Sequence, residues 1–300
     1  ASTPWSPALP PPPPFTIGVL CREGTQMSAQ RLTRRLPNAI NYLFLGSVAF
    51  LSVFPFVWMV ISATNKNVDI LKGRLSIGSS LMENINAFLA AVDLPLVMWN
   101  SLKIALIGTA VTMLVSSMAG YGFEMFRSKW RDRLYTAMLL TLFVPFAALM
   151  IPLYMMMGKA GLIDTHVAIV LPTIASAFII FYFRQASKAF PAELRDAAKV
   201  DGLKEWQIFL YIYVPVMRST YAAAFVIVFM ANWNNYLWPL IVLQSNETKT
   251  ITLVVSSLAS SYTPQFGTVM IGTIIATLPT LFVFFAMQRQ FVQGMLGSVK

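Results

Sequence analysis

The sequence predicts an all-α integral membrane protein with six transmembrane helices, and three observations carry that prediction. Hydrophobic residues make up 57% of the chain against 11% charged, with a mean hydropathy of +0.65; soluble domains carry about 25% charged residues. Six segments are apolar over the length of about 20 residues that a hydrocarbon core of about 30 Å demands of a helix. Lys and Arg alternate between abundant and sparse in successive connections, as they do when loops lie on opposite sides of a bilayer. Once the apolar segments are set aside no second large globular unit fits, so one membrane domain is expected over residues 39–300.

The chain opens on residues 1–26, where a proline run at 10–14 and the lack of any hydrophobic period predict a disordered stretch. Its apolar piece, residues 15–20, is too short for a signal-peptide core and has no basic region before it. Met27 is the expected natural start, and residues 1–38 together read as a disordered, basic cytoplasmic segment. The spans follow at about 39–63, 100–122, 135–157, 167–183, 219–238 and 266–287. Pro55, Pro145, Pro152, Pro172 and Pro279 fall inside them, where neighbouring helices can satisfy the freed carbonyls.

Orientation follows from the basic residues. Arg22, Arg31, Arg34 and Arg35 precede the first span, Arg127, Lys129, Arg131 and Arg133 join the second to the third, and Arg184, Lys188, Arg195, Lys199, Lys204 and Arg218 join the fourth to the fifth, with Arg289 and Lys300 in the tail. The other side has only Lys66, Lys72, Arg74, Lys103, Lys159 and Lys249. Both termini are therefore expected in the cytoplasm. The same distribution explains the net charge of +10 without nucleic acid.

Ionisable residues inside a bilayer usually mark an ion or proton pathway. Here Lys103 and Glu124 sit at span ends, within reach of the interface, and the span interiors are otherwise uncharged. An autonomous secondary carrier would normally need such groups. A membrane enzyme is disfavoured in turn: there is no His/Asp metal cluster, no intramembrane carboxylate pair and no nucleophile with a base. The lone Cys21 excludes an internal disulfide, and His166, beside Asp164 and Thr165 in a polar loop, reads as a surface residue. The chain has no G-x-x-x-x-G-K-[ST] loop, so any ATPase must be a separate subunit.

The most charged connection, residues 190–216, divides into two helices. Pro191, Glu193 and Asp196 suit a helix start, since proline fits the first turn and acids fit the positive end of the dipole. Gly202, after Asp201, is placed where a left-handed residue ends that helix. A second helix from about Lys204 would set Trp206, Phe209, Leu210 and Tyr213 on one face. Ala197 and Ala198 give the first helix a low profile that another protein can approach; the alternative is an interfacial hairpin with its apolar face on lipid.

A family resemblance favours the first of them. Asp196, Ala197, Ala198, three residues, Gly202, nine residues, Ile212, one residue and Val214-Pro215 resembles the E-A-A-x3-G-x9-I-x-L-P loop of the membrane subunits of binding-protein-dependent ABC importers, with Asp196 in place of glutamate and Val214 in place of leucine. "WNS" at 99–101, "GLIDTHVAIVLP" at 161–172, "NWNNYLWPLIVL" at 232–243 and "QRQFVQGMLGSVK" at 288–300 are similar to the carbohydrate branch of that family, the smaller membrane subunit of maltose- and oligosaccharide-type importers above all. The resemblance covers residues 39–300 and leaves residues 1–26 unmatched.

It implies a type I importer permease fold in a bacterial inner membrane. Its implied partners are a second homologous membrane subunit, two ATP-binding cassette subunits and an extracytoplasmic solute-binding protein. ATP and Mg²⁺ would sit on the ATPase subunits, with no cofactor on this chain. Residues 190–216 would be the coupling loop, with Glu193, Asp196, Ala197, Ala198, Asp201, Gly202, Ile212 and Pro215 meeting an ATPase subunit. The implied solute is a carbohydrate, with an alginate-like acidic oligomer or a sugar phosphate such as glycerol phosphate as the alternatives.

"NWNNYLW" at 232–238 interleaves amides with aromatics, a combination that suits sugars, and makes Asn232, Trp233, Asn235 and Tyr236 the substrate-path candidates. The competing reading is an interfacial aromatic belt with asparagines at a helix end. Met155 to Met157 and Gly108, Gly120 and Gly122 read as packing positions.

Overall fold

The structure, a computed structural model, describes the backbone of residues 23–296 and the side chains of residues 40–289. Among the described residues the regular structure is entirely helical. Four helices are long and apolar enough to cross a membrane, Ile40–Ala63, Leu94–Met125, Arg218–Val242 and Phe266–Arg289; two bent pairs bring the number to six if each pair is one span. Most of the expected disordered segment, residues 1–22, lies outside the described residues, and the chain is helical from Glu23.

Helix α1 (Glu23–Ala63) runs for 41 residues. Its portion through Val57 belongs to a unit of its own, and every side chain from residue 40 to 57 is exposed. A helix apolar on all sides is at home in lipid or against other membrane helices.

The second unit begins at Trp58. Two short helices, α2 (Asn67–Leu71) and α3 (Leu81–Ala91), lead to the long α4 (Leu94–Met125). Asp93 caps α4, its carboxylate accepting the Leu96 N–H at 3.2 Å, with Pro95 in the first turn. The buried face of α4 is a stripe of small residues, Ser101, Ala105, Thr109, Thr112, Ser116 and Gly120. Small side chains let backbones approach, which is how helices associate when lipid offers no hydrophobic drive. Against this stripe pack α8 (Ala177–Ser187) and α12 (Arg218–Trp233), and α12 in turn packs on α15 (Phe266–Leu296). At Gly120 the approach is closest: a Cβ there would lie 2.6 Å from Phe183 Cβ and 2.8 Å from the Arg184 nitrogen.

The third predicted span is not a straight helix. It consists of α5 (Lys129–Leu140), a 3₁₀ turn at Thr141–Phe143 and α6 (Phe146–Lys159), with a bend of 103°. Val144 and Pro145 are both extended, because proline offers no N–H and pushes the preceding residue out of the helical region. The fourth, α7 (His166–Val170), a 3₁₀ turn at Leu171–Thr173 and α8, bends by 43° across residues 174–176. Ser176 restarts it by capping Ile179.

Beyond α8 come α9 (Ala192–Val200) and α10 (Glu205–Ile208), a π-helical turn at Phe209–Tyr213, and α11 (Val214–Val216) leading into α12. After α12 the same span resumes as α13 (Leu237–Val242), and α14 (Ile251–Ala259) precedes α15. The α9–α10 hairpin marks one end of the bundle and the connection between α13 and α14 the other.

Candidate coupling hairpin and translocation cavity

The hairpin is built as its residues dictate. Pro191, extended at ψ 122°, stands just before α9 as its N-cap, and Glu193 occupies the acidic first turn. At the far end Gly202 takes φ +82° while its N–H bonds to the Lys199 carbonyl and that of Leu203 to the Ala198 carbonyl, both at 3.0 Å. This paired closure is the Schellman stop, and glycine fits it because the left-handed position tolerates no Cβ cheaply. Gln207 then accepts the Lys204 N–H at 2.8 Å to start α10.

Glu193, Asp196, Ala197, Asp201, Gly202 and Pro215 all face outward. Ala198 does not: it is buried at 3% exposure, so of the two alanines only Ala197 supplies a low outer surface. Ile212 is half-buried and joins the cluster of Tyr121, Phe190, Phe209, Tyr213 and Met217.

The expected apolar face of the second helix is divided. Phe209 and Tyr213 are buried, while Trp206 and Leu210 are exposed at 56% and 46%. The π turn is the cause, since its wider winding rotates successive side chains away from the 3.6-residue period. Tyr213 is stacked on Phe209 at 5.4 Å and hydrogen-bonds Ser187 at 2.7 Å, so this turn anchors the hairpin to α8.

Four residues outside the predicted set, Arg195, Lys199, Glu205 and Tyr121, complete the site. Arg195 of α9 grips Glu205 of α10 with two hydrogen bonds, at 2.6 and 3.3 Å, and Lys199 reaches the same carboxylate at 2.9 Å. Partial burial pulls the Glu205 carboxyl up, but the bonds from Arg195 and Lys199 outweigh it and hold the group below its usual range. The Tyr121 hydroxyl of α4 donates to Glu205 at 3.2 Å. Glu124, expected at the interface, is instead inside the bundle at 7% side-chain exposure; it pairs with Arg127 and, at 3.5 Å, with Arg184. Arg184 also bonds Asp132 at 2.8 Å and stacks over the Tyr135 ring at 3.9 Å. A charge this deep is tolerable only when paired.

The second site is a cavity of about 420 Å³ beside the break between α12 and α13. Asn232 and Asn235 line it, together with Thr112, Thr173 and Ser176 and the rings of Phe146, Phe178 and Trp238. Non-helical backbone at membrane depth is tolerated where it lines such a space. Asn232 donates to Thr109 at 3.4 Å and lies against Gly108, where a Cβ would come within 3.1 Å of its amide nitrogen.

The two predicted aromatics are elsewhere. Trp233 is buried, donating to the Ala276 carbonyl at 2.9 Å, and Tyr236 packs among the residues around Met157 and Trp238. Trp238, held by a 2.9 Å bond from its indole N–H to Ala168, is the ring that reaches the cavity from this segment. Of the methionines at 155–157 only Met157 is buried.

At the end opposite the hairpin, two of the quoted segments meet. Asp164, left-handed at φ 63°, accepts the Thr248 hydroxyl at 2.6 Å and the N–H groups of Gln244 and Ser245. His166 is half-buried, with Nε2 3.0 Å from the Thr248 carbonyl. From the other side Asn100 donates to the carbonyls of Glu247 and Lys249, at 2.8 and 3.2 Å, and Ser101 accepts the Ile251 N–H. "WNS" and "GLIDTH" are thus the two halves of one clasp on the α13–α14 connection. The hydrogen bonds from Thr248 and Gln244 hold the Asp164 carboxyl well below the usual carboxylate range.

A broken membrane helix beside a cavity of amides, hydroxyls and rings, with a helix pair fastened to one end of the bundle, is the architecture of a membrane transport subunit. Residues 112–297 match the family described as binding-protein-dependent transport system inner membrane component. The chain belongs to that family: it is the membrane permease component of an ABC importer and is not itself the ATPase. It is 77% identical to the lactose transport system permease protein LacG of Rhizobium radiobacter, over 90% of this chain and 98% of that one. It is 33% identical to the arabinooligosaccharides transport system permease protein AraQ of Bacillus subtilis (strain 168), over 86% of this chain and 94% of the relative. A crystal structure of a bacterial ABC transporter involved in the import of the acidic polysaccharide alginate has the same fold, with a TM-score of 0.75 over 86% of this chain and 98% of the other at 19% identity.

Proposed function

We propose that this chain forms one half of the membrane pathway of an ATP-driven importer for a small neutral saccharide of the lactose class. The observation that carries the reading is the 77% identity to a lactose permease along nearly the whole of both chains. The cavity agrees with it. Asn232, Asn235, Thr112 and Ser176 offer neutral donors and acceptors for hydroxyls, and Phe146, Phe178 and Trp238 offer flat faces for C–H surfaces, with no cation in the lining to recognise a phosphate or a uronate.

The hairpin over residues 190–216 couples this pathway to ATP. Its outward Glu193, Asp196, Ala197, Asp201 and Gly202 meet one ATPase subunit, whose partner sits under a second, homologous membrane subunit. ATP and Mg²⁺ belong to those subunits, and a solute-binding protein delivers the sugar to the opposite face. The chain lies in the cytoplasmic membrane of a bacterium with both termini inside, which the basic residues on the hairpin side support. ATP-driven closure of the ATPase pair moves the hairpin, and the two access states exchange because ATP binds them unequally.

The test reconstitutes the whole complex in vesicles and measures ATP hydrolysis with the cognate binding protein loaded in turn with lactose, an arabino-oligosaccharide, a uronate oligomer and glycerol phosphate. Lactose is expected to stimulate most. Stimulation by glycerol phosphate or the uronate alone would overturn the saccharide assignment.

A further inference from the structure

Glu205 lies outside the motif positions at 196, 197, 198, 202, 212 and 215, yet its side chain hydrogen-bonds α10 to both α9 and α4 at the hairpin end. Its carboxylate takes two bonds from Arg195 of α9, one from Lys199 of α9 and one from Tyr121 of α4. These contacts are unequal. Lys199 is 45% exposed in its side chain and holds its charge in high dielectric, where an ion pair contributes little. Arg195 is 16% exposed and binds through a guanidinium fork, a charge-assisted and geometrically fixed contact. The same guanidinium lies 4.9 Å above the ring of Phe126, the residue that ends α4.

What lies beyond Tyr121 has no slack either. Its ring packs edge-on against Phe209 at 5.4 Å and Tyr213 at 4.8 Å. The adjacent residue is Gly120, where α4 and α8 approach so closely that a Cβ has no room. One turn further along α4, Glu124 is paired with Arg184 of α8. A displacement of α9 therefore reaches α4 through Glu205 and reaches α8 through the Gly120 crossing. Without the carboxylate the hairpin would still be tethered to α8 and α12 by the chain, but its hydrogen-bonded link to α4 would be gone.

We propose that Glu205 is the positioning residue that transmits movement of the coupling hairpin to α4, so that α9, α10, α4 and α8 travel as one body. This rests on the coupling reading of residues 190–216 given above, and the experiment separates the two. A merely structural Glu205 would change how much complex assembles, whereas a transmitting one changes what ATP does to the pathway in complexes that have assembled.

The complete importer, in vesicles with its binding protein, carries Cys21→Ser and a reporter Ala231→Cys on the exposed cavity-lining position of α12. Two quantities are read per assembled complex: ATP hydrolysis, and the change in labelling of residue 231 by an impermeant maleimide when ATP and vanadate are added. Glu205→Gln is expected to keep hydrolysis within about twofold while cutting the ATP-induced labelling change about fivefold or more, the lower end of ordinary coupling between sites. Tyr121→Phe, which removes only the hydroxyl, is expected to cut it less, and the double variant to lose less than the sum, since both act on one bond.

A full labelling change in Glu205→Gln overturns the proposal. If Glu205→Gln does not assemble, Tyr121→Phe alone decides, and an unaltered labelling change there overturns it as well. Gly202→Asp serves as the reference. If it abolishes the change while Glu205→Gln leaves it whole, only Glu205 loses its role. If the parent shows no change on ATP, or Gly202→Asp leaves it intact, the coupling reading itself fails.

Discussion

A Cβ at residue 202 would meet no atom within 4 Å, so glycine supplies conformation there rather than space. Any other residue held at φ +82° costs about 1–2 kcal/mol. Gly202→Ala is therefore expected to leave the spans intact and to slow ATP-driven uptake in vesicles, because the α9–α10 turn loses its single geometry. Gly202→Asp adds a carboxylate on the proposed docking surface and is expected to abolish uptake with the subunit still inserted. Normal uptake by the aspartate variant would remove the coupling role from the hairpin. At the other end of the bundle a single carboxylate does the corresponding job. The Thr248 hydroxyl and the Gln244 N–H hold Asp164 ionised below its usual range. A lowered carboxyl contributes stability that is present above its unfolded value of about 3.9 and is lost only as pH falls through the lower folded one. Amide exchange at Gln244 and Ser245, corrected for its intrinsic pH dependence, should thus stay slow from pH 8 to pH 5. Asp164→Asn should speed it at neutral pH.

Elements differ in how much of them the sequence discloses, and the reason lies in the range of the forces that shape them. The Gly202 stop, the acidic start at Glu193 and the long apolar spans were legible because each is decided within a few residues. Pro145 was expected to be tolerated inside a span, and the 103° bend was not foreseen, because it depends on whether neighbouring helices restore the lost bond. The π turn at Phe209–Tyr213 was hidden for a related reason. A 3.6-residue period puts Trp206, Phe209, Leu210 and Tyr213 together; the fold buries Phe209 and Tyr213 against Tyr121 and Phe190 and accepts a wider turn to do so. The cavity was half legible. Asn232 and Asn235 lie in the segment whose composition marked it, whereas Phe146, Phe178 and Thr112 arrive from three other elements. Glu205 was missed because its partners, Arg195 and Tyr121, are brought to it by the turn at Gly202 and by α4 packing. A stripe of small residues on α4 at 101, 105, 109, 112, 116 and 120 was the one long-range signal available in the sequence.

At the scale of the molecule the distribution of charge states where the energy for transport must enter. Carriers driven by an ion gradient hold titratable or ion-binding groups at membrane depth, where protonation or ion binding can shift the access equilibrium. Among the described residues the charged side chains of the membrane segments sit toward their ends: Lys103, Glu124, Lys129, Arg131, Asp132, Arg133, Lys159, Arg184, Arg218 and Arg289. The most buried of these, Glu124 and Arg184, pair with each other and are joined to Arg127 and Asp132. The cavity lining carries amides, hydroxyls, rings and aliphatic side chains, and no charged group. In the proposed reading free energy arrives from outside the bundle, and the hairpin is a charged, outward-facing element fastened to it through Tyr213–Ser187 and Glu205–Tyr121. In vesicles holding the full complex, collapsing the proton and sodium gradients with ionophores is expected to leave uptake unchanged, and withdrawing ATP to abolish it. This chain alone in the same vesicles should carry no sugar under any imposed gradient. Gradient-driven uptake by the isolated chain would mean that a coupling group exists within the spans, and the lever at residues 190–216 would lose its reason.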